Sequence, residues 1–400
     1  MNDTALLGFT GSLTRDARLV FEVLEGLQGD FLEIAMPDGN NYRFGQGPSG
    51  VVLHVRDEAV FRKVLARGDI GLAEAYLDGD WDTTDLSRLL TLLAQNHERL
   101  RSVVYGRWFH LLTARLRHWL NRNSRSGSKR NIMAHYDLGN EFYSLWLDPS
   151  MTYSSALYRW EGKDDLINAQ QSKYRRILQR LQAKPGQRVL EVGCGWGGFA
   201  ELAQRQGLAV TGLSLSPTQL AWARARVPEA DLRLQDYRDT CEPFDHVVSI
   251  EMFEAVGERW WPAYFKTVAR ALKPDGRAMI QTITIRDELF SIYRRSTDFI
   301  QQYIFPGGML PSCVAFRREA ARAGLVVSDE YAFGEDYART LSEWRQSFER
   351  HWPRIAALGF DEKFRRMWRF YLSYSEAGFR SGNIDVVQFE IRHQQSNSGG

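Results

Sequence analysis

The 400-residue chain is poor in cysteine: Cys194, Cys241 and Cys313 make an odd, sparse set. No disulfide framework follows from three thiols, and a reducing, cytoplasmic setting is expected. No apolar run approaches the roughly 18 residues that a membrane-spanning helix needs. The N-terminal stretch MNDTALLGFTGSLTRDAR lacks the basic start, apolar centre and small-residue cleavage site of a secretory signal. The eight histidines are scattered with no pair at ligand spacing, and no C-x-x-C occurs, so no metal is expected. Internal repeats and low-complexity tracts are also missing. With 44% hydrophobic and 25% charged residues, the disordered, collagen-like and coiled-coil classes are excluded. At about 150 residues per domain the length suggests two to three domains.

Net charge is low as well, with 51 basic against 49 acidic residues. Its placement is uneven. Arg101, Arg107, Arg115, Arg117, Arg122, Arg125, Lys129 and Arg130 fall in one stretch that holds no acidic residue, leaving 43 basic against 49 acidic over the other 370. A basic segment on an acidic body suggests an anionic partner, nucleic acid or a lipid surface. Within Val103 to Asn121, Tyr105, Trp108, Phe109, Leu112, Leu116 and Trp119 share one helical face, and Arg107, His110 and Arg117 fall near the other. A cationic amphipathic helix carrying Trp and Phe has the character of an interfacial membrane contact. The plainer reading is a domain-packing helix with a solvated basic face.

Residues 1–120 mix short alternating stretches (Phe31 to Ile34, Val51 to Val55) with helical ones (Val60 to Leu65, Leu86 to Leu93), which predicts a small α+β domain. Residues 121–130, NRNSRSGSKR, read as a basic linker. From about 165 to 285 the chain alternates in a βαβ rhythm. Candidate strands are Arg188 to Val192, Leu208 to Leu215, His246 to Glu251 and Arg277 to Ile283. That pattern predicts an α/β domain with a parallel sheet covered on both faces. Beyond about 286 the expectation is largely helical and aromatic.

The most distinctive local motif is RVLEVGCGWGG, residues 188–198. A strand runs into Gly193, Gly195, Gly197 and Gly198 and a helical stretch follows, as a tight turn that brings backbone close to a ligand requires. The spacing also satisfies G-x-G-x-x-G, a weak signal alone. Two features argue against a nicotinamide or flavin. Glu191 stands two residues before the first glycine, where a carboxylate can bond a cationic amino-acid moiety. The second strand ends in LSLS, with no acidic residue placed to hold a ribose.

With that turn in place, the chain resembles the cyclopropane-fatty-acyl-phospholipid synthase family, which includes the mycolic-acid methyltransferases. Six motifs in order carry the resemblance: HYDLGNEFYSLWLDPSMTYSSALY (135–158), LEVGCGWGG (190–198), GLSLSPTQ (212–219), SIEMFEAVGERWWPAYF (249–265), DFIQQYIFPGGMLPS (298–312) and FGEDYARTLSEW (333–344). It implies a Rossmann-like methyltransferase domain over 131–400, dependent on S-adenosylmethionine, with a helical acyl-binding cap. Residues 1–120 then become a membrane-docking domain.

Carried across by position, Gly193 and Gly195 are expected at the methionine part of the cofactor, with Glu191 beside them. Ser214, Leu215 and Gln219 fall at the ribose, Tyr237 and Arg238 at the adenine, Tyr153 and Ser154 over the sulfonium, and Ile250 beneath it. Cyclopropane-forming members hold a bicarbonate as base between a Cys, a Glu, a His, an Ile backbone group and a Tyr. Glu254, Ile283 and Tyr337 match three of these; the Cys position is Ser155 and the His position is Gln281. The replacements still offer hydrogen bonds, but the imidazole is gone. Glu251, near Glu254 in sequence, is a further carboxylate able to take over part of the base's role.

The reading is therefore C-methylation at the double bond of unsaturated acyl chains in membrane phospholipid, with cyclopropane as the first product expected. Methyl-branched or methylene chains, or a furan fatty acid precursor, follow from the same first step. A nucleic-acid methyltransferase and an inactive lipid-binding homologue are the competing classes. Against the former, no N-P-P-[YFW]-type motif and no recognition domain are present, so no nucleic acid is expected. An anionic membrane surface on the cytoplasmic side is the expected partner, and the resemblance adds a homodimer.

Overall fold

The computed structural model describes residues 13–101, 138–158 and 164–394. The stretch Val103 to Asn121, the linker 121–130, and the start of the first motif, His135 and Tyr136, lie outside the described residues.

Helices begin where the sequence supplies a side-chain cap. Asp85, Asp165, Ser216, Ser312 and Asp361 each accept from the backbone N–H three residues on, an arrangement worth about 1 kcal/mol each. Packing groups Met1–Leu116, Ser296–Phe299 and Asp361–Ser381 into one unit, and Arg117–Arg295, Ile300–Phe360 and Gly382–Gly400 into a second.

The first unit holds a four-stranded sheet in the order β2-β1-β3-β4, formed by β1 (Phe31–Ala35), β2 (Asn41–Phe44), β3 (Gly50–Val55) and β4 (Trp81–Thr83). Alternate residues of β1 and β3 are buried, as one covered face demands. Phe21 meets Phe44 and Phe61 edge-on in its core. The grouping differs from sequence boundaries at 120 and 131, because the helix Glu362–Arg380 returns to this unit from the far end of the chain. Its Trp368, Phe370 and Leu372 are buried. Glu376 accepts from Ser87 Oγ at 2.7 Å, and Arg366 pairs with Asp82 at 3.0 Å. Composition read along the chain cannot locate such a crossing.

The second unit is built on a seven-stranded sheet in the order β10-β11-β9-β8-β5-β6-β7. Its strands are β5 (Arg188–Val192), β6 (Ala209–Ser214), β7 (Asp231–Leu234), β8 (Phe244–Ile250), β9 (Leu272–Ile285), β10 (Leu325–Ala332) and β11 (Ile384–His393). The run β9-β8-β5-β6-β7 is parallel. Successive residues of β5 feed opposite cores. Val189 joins Ile177, Leu178, Phe199 and Met279, while Leu190 joins Phe253, Trp261, Phe265, Phe316 and Phe389. A sheet covered on both faces follows, as the βαβ rhythm predicts.

Two strands depart from the helical expectation beyond 286: β10 and β11 add to the sheet antiparallel. Polar residues obscure β11 in the sequence, and partners in the fold satisfy them. Gln388 lies opposite Gln281 of β9, and Glu390 pairs with Arg180 at 2.8 Å.

From β5 the chain runs outward through β6 and β7, then crosses back to β8 on the other side of β5. The crevice beyond the carboxyl ends of β5 and β8 is the switch point where α/β sheets take their ligands.

Candidate active site

At the end of β5, Gly193 and Gly195 sit at φ +88° and +51°, the left-handed region that disfavours a side chain. Gly193 has a second reason to be glycine: a Cβ there would come within 3.0 Å of the Met252 side chain. The N–H groups of Gly193 and Cys194 both donate to Leu213 O, at 3.0 and 2.9 Å, which ties the turn to β6. Cys194 is buried among Leu220, Ala223 and Leu232, a packing residue.

The crevice is lined by Tyr153, Ser154, Glu191, Gly193, Gly195, Ser214, Leu215, Gln219, Tyr237, Arg238 and Ile250, the complete set expected around the cofactor, together with Glu251. Glu191 is buried and its Oε2 has no hydrogen-bond partner. Burial pushes its pKa up to about 8, against the pull of nearby Lys173. An unpartnered buried carboxylate beside a glycine turn fits the ammonium of a methionine moiety. At the other end Asp236 holds the Arg238 guanidinium through two hydrogen bonds of 2.8 and 2.5 Å.

A second constellation adjoins the crevice. Glu251 follows β8 at φ +50°, a strained conformation for a side-chain-bearing residue, costing about 1–3 kcal/mol. Its N–H donates to Gln281 O at 2.8 Å. Its carboxylate collects three donors: Ser155 N (2.8 Å) and Gln281 Nε2 (2.7 Å) on Oε1, and Tyr337 OH (2.6 Å) on Oε2. The neighbouring Glu254 accepts instead from Ile283 N at 2.5 Å. The six residues expected at the chemistry are therefore brought together, but around two chain carboxylates. Three donors that the resemblance assigns to bicarbonate end on Glu251 and the fourth on Glu254. All four donors are thus taken up by carboxylates of the chain itself.

Burial raises the pKa of Glu251, opposed by Lys173 and by its three donors. Burial and the neighbouring Glu251 charge push Glu254 up to about 8. Lys173 is fully buried, donates to Ser154 Oγ at 2.6 Å, and is pulled down to about 7. Sequence reasoning missed this lysine. Its signal is position: Ala169, Lys173 and Ile177 form one buried stripe of the helix Leu166–Leu181, four residues apart.

Over Ser154 and Ser155, Tyr153 packs between Tyr143, Trp146 and Trp344, with ring centroids 5.3–5.6 Å away. Such faces attract positive charge.

A seven-stranded sheet with a glycine-turned crevice at its switch point defines an S-adenosylmethionine-dependent methyltransferase. The family described as mycolic acid cyclopropane synthetase matches residues 123–389, and the chain belongs to it. Tuberculostearic acid methyltransferase of Mycobacterium tuberculosis is 39% identical over 84% of this chain and 82% of its own. Cyclopropane-fatty-acyl-phospholipid synthase of Escherichia coli is 35% identical over 89% and 94%. Among solved structures, the mycolic acid cyclopropane synthase CmaA1 with SAH and CTAB superposes at TM-score 0.61 and 32% identity, over 66% of this chain and 97% of that one.

Proposed function

We propose that the chain transfers a methyl group to the cis double bond of an acyl chain esterified in membrane phospholipid, and that Glu251 is the base that completes the reaction. S-adenosylmethionine supplies an electrophilic methyl on a sulfonium. The alkene π pair forms the new carbon–carbon bond as the S–CH3 bond breaks, its pair staying on sulfur in S-adenosylhomocysteine, and a positive charge is left on the neighbouring carbon. The Tyr153 and Trp344 faces and the buried carboxylates stabilise that charge. Glu251 takes a proton, and the released C–H pair quenches the cation. Taken from the new methyl, the pair closes a cyclopropane, the outcome named in the Escherichia coli relative. The observation carrying this reading is the convergence of Ser155, Gln281 and Tyr337 on one chain carboxylate.

A second product reading rests on the same observation. Loss of a proton from a neighbouring chain carbon, the ordinary fate of such a cation, gives a methyl-branched alkene; a 1,2-hydride shift onto the cation, followed by loss of a proton from the methyl, gives a methylene chain. Ring closure needs a base against the methyl itself, and Glu251 is tethered where relatives are read to hold a free anion. The 39% identical relative is named for tuberculostearic acid rather than a cyclopropane.

The basic stretch 101–130 supports docking on the anionic, cytoplasmic face of the membrane, since each basic residue near such a surface contributes about 1 kcal/mol. No helix among the described residues is long and apolar enough to cross it. A homodimer remains part of this proposal, on family grounds.

The test is incubation with S-adenosylmethionine and vesicles of cis-monounsaturated phosphatidylglycerol or phosphatidylcholine, with proton NMR of the lipid product. Upfield cyclopropane protons are expected under the first reading, and vinylic protons with a branch under the second. Anionic vesicles should react faster. No added CH2 in lipid from either vesicle would overturn the function.

A further inference from the structure

Behind Glu251 a line of hydrogen bonds runs to a charged residue outside the crevice. Gln281 donates Nε2 to Glu251 at 2.7 Å and accepts, on Oε1, from Gln388 Nε2 at 3.0 Å. Gln388 in turn accepts, on its own Oε1, from Arg176 Nη1 at 2.5 Å. Both glutamines are fully buried, so water cannot replace either partner. They face each other in register across β9 and β11. Arg176, on the helix Leu166–Leu181, lies over the Tyr331 ring at 4.0 Å and near Asp329 at 3.5 Å.

The polarity of this line is fixed at its outer end. A guanidinium only donates, whereas an amide has one donating and one accepting end. Gln388 must therefore turn its oxygen to Arg176 and its NH2 inward. Gln281 must then meet that NH2 with its oxygen and present its own NH2 to Glu251. Reversed, the Gln281 oxygen would face a carboxylate oxygen, which disfavours the ionised form.

We propose that Arg176 and Gln388 are positioning residues that fix the orientation of the Gln281 amide, so that Glu251 is held as an ionised base. This rests on the reading of Glu251 as the base. The other titratable groups facing Glu251 are Lys173 from the helix Leu166–Leu181, Glu254 from the turn after β8, and Tyr337 from the helix Gly334–Arg350. The variants below leave all three in place.

The experiment is the pH profile of kcat on phosphatidylglycerol vesicles for the full chain and for Arg176→Met, Arg176→Lys, Gln388→Met and Gln388→Glu, with the Kd for S-adenosylmethionine as the check on folding. Arg176→Met and Gln388→Met lose the polarity signal. Gln388→Glu keeps the contact to Arg176 but offers Gln281 no donor. In all three the acidic limb should move up by about one pH unit, a tenfold loss of kcat at the acidic end that is recovered at high pH. The cofactor Kd should hold within about twofold, and Arg176→Lys, still only a donor, should keep the parent profile. An unmoved limb, or an equal loss at every pH, overturns the relay. If Gln388→Met does not fold, the half-buried Arg176→Met decides. Glu251→Gln separates the two claims. Full turnover in that variant ends the base reading and the relay with it, whereas its inactivity beside unmoved relay profiles ends the relay alone.

Discussion

Glu191 shows what burial does to a single carboxyl at this site. Raised to about 8 without a ligand, it is largely protonated at pH 7. A cationic amino group favours the ionised form, so binding must expel that proton. The affinity for S-adenosylmethionine should then tighten as pH rises and level off above about 8. Calorimetry near pH 7 in buffers of different ionisation enthalpy should detect proton release. Glu191→Gln should abolish that release and weaken binding by roughly 10- to 100-fold, since hydrogen bonds to charged groups contribute ~1.5–3 kcal/mol. A parent enzyme that binds without releasing a proton would contradict this role. Glu191 was legible because carboxylate and glycine turn are neighbours in sequence. Lys173, Gln388 and Arg176 were not, because each acts through residues far along the chain. Gln388 in particular lies 107 positions from the glutamine it orients.

The glycine turn is the element on which the crevice depends. Gly193→Ala must place a Cβ at φ +88° and within 3.0 Å of Met252. The left-handed conformation alone costs about 1–2 kcal/mol, so a lower Tm and at least a tenfold weaker cofactor Kd are expected; an unchanged Kd by titration would contradict the close approach. The parallel strands β5, β6, β8 and β9 were legible because short apolar stretches alternate there with helical ones in a βαβ rhythm. The antiparallel strands were not. β10 shows alternating half-burial at the sheet edge, and β11 carries Gln388 and Glu390 into a buried position. Their cost is met only by partners that the fold supplies.

At the scale of the whole molecule, the low net charge conceals an uneven placement. The proposed base and all the expected cofactor positions belong to one packing unit, Arg117–Arg295 with Ile300–Phe360 and Gly382–Gly400. The eight basic residues fall in one stretch between Arg101 and Arg130. The fold class was readable from the sequence, and the residues expected at the cofactor line one crevice. What required three dimensions was the destination of the donors. The resemblance sets Ser155 and Gln281 at the family's Cys and His positions, but it does not tell that the same groups meet Glu251. If Glu251 is the base, as proposed, a carboxylate provided by the chain makes the reaction independent of a dissolved one.

That independence is the most direct test of the account. The initial rate of methyl transfer to phosphatidylglycerol vesicles should be measured in carbon-dioxide-free buffer and again with added bicarbonate. Equal rates are expected for the parent chain, and near-complete loss in Glu251→Gln under both conditions. A parent enzyme that stalls without bicarbonate, or a Glu251→Gln variant that turns over normally, would contradict it.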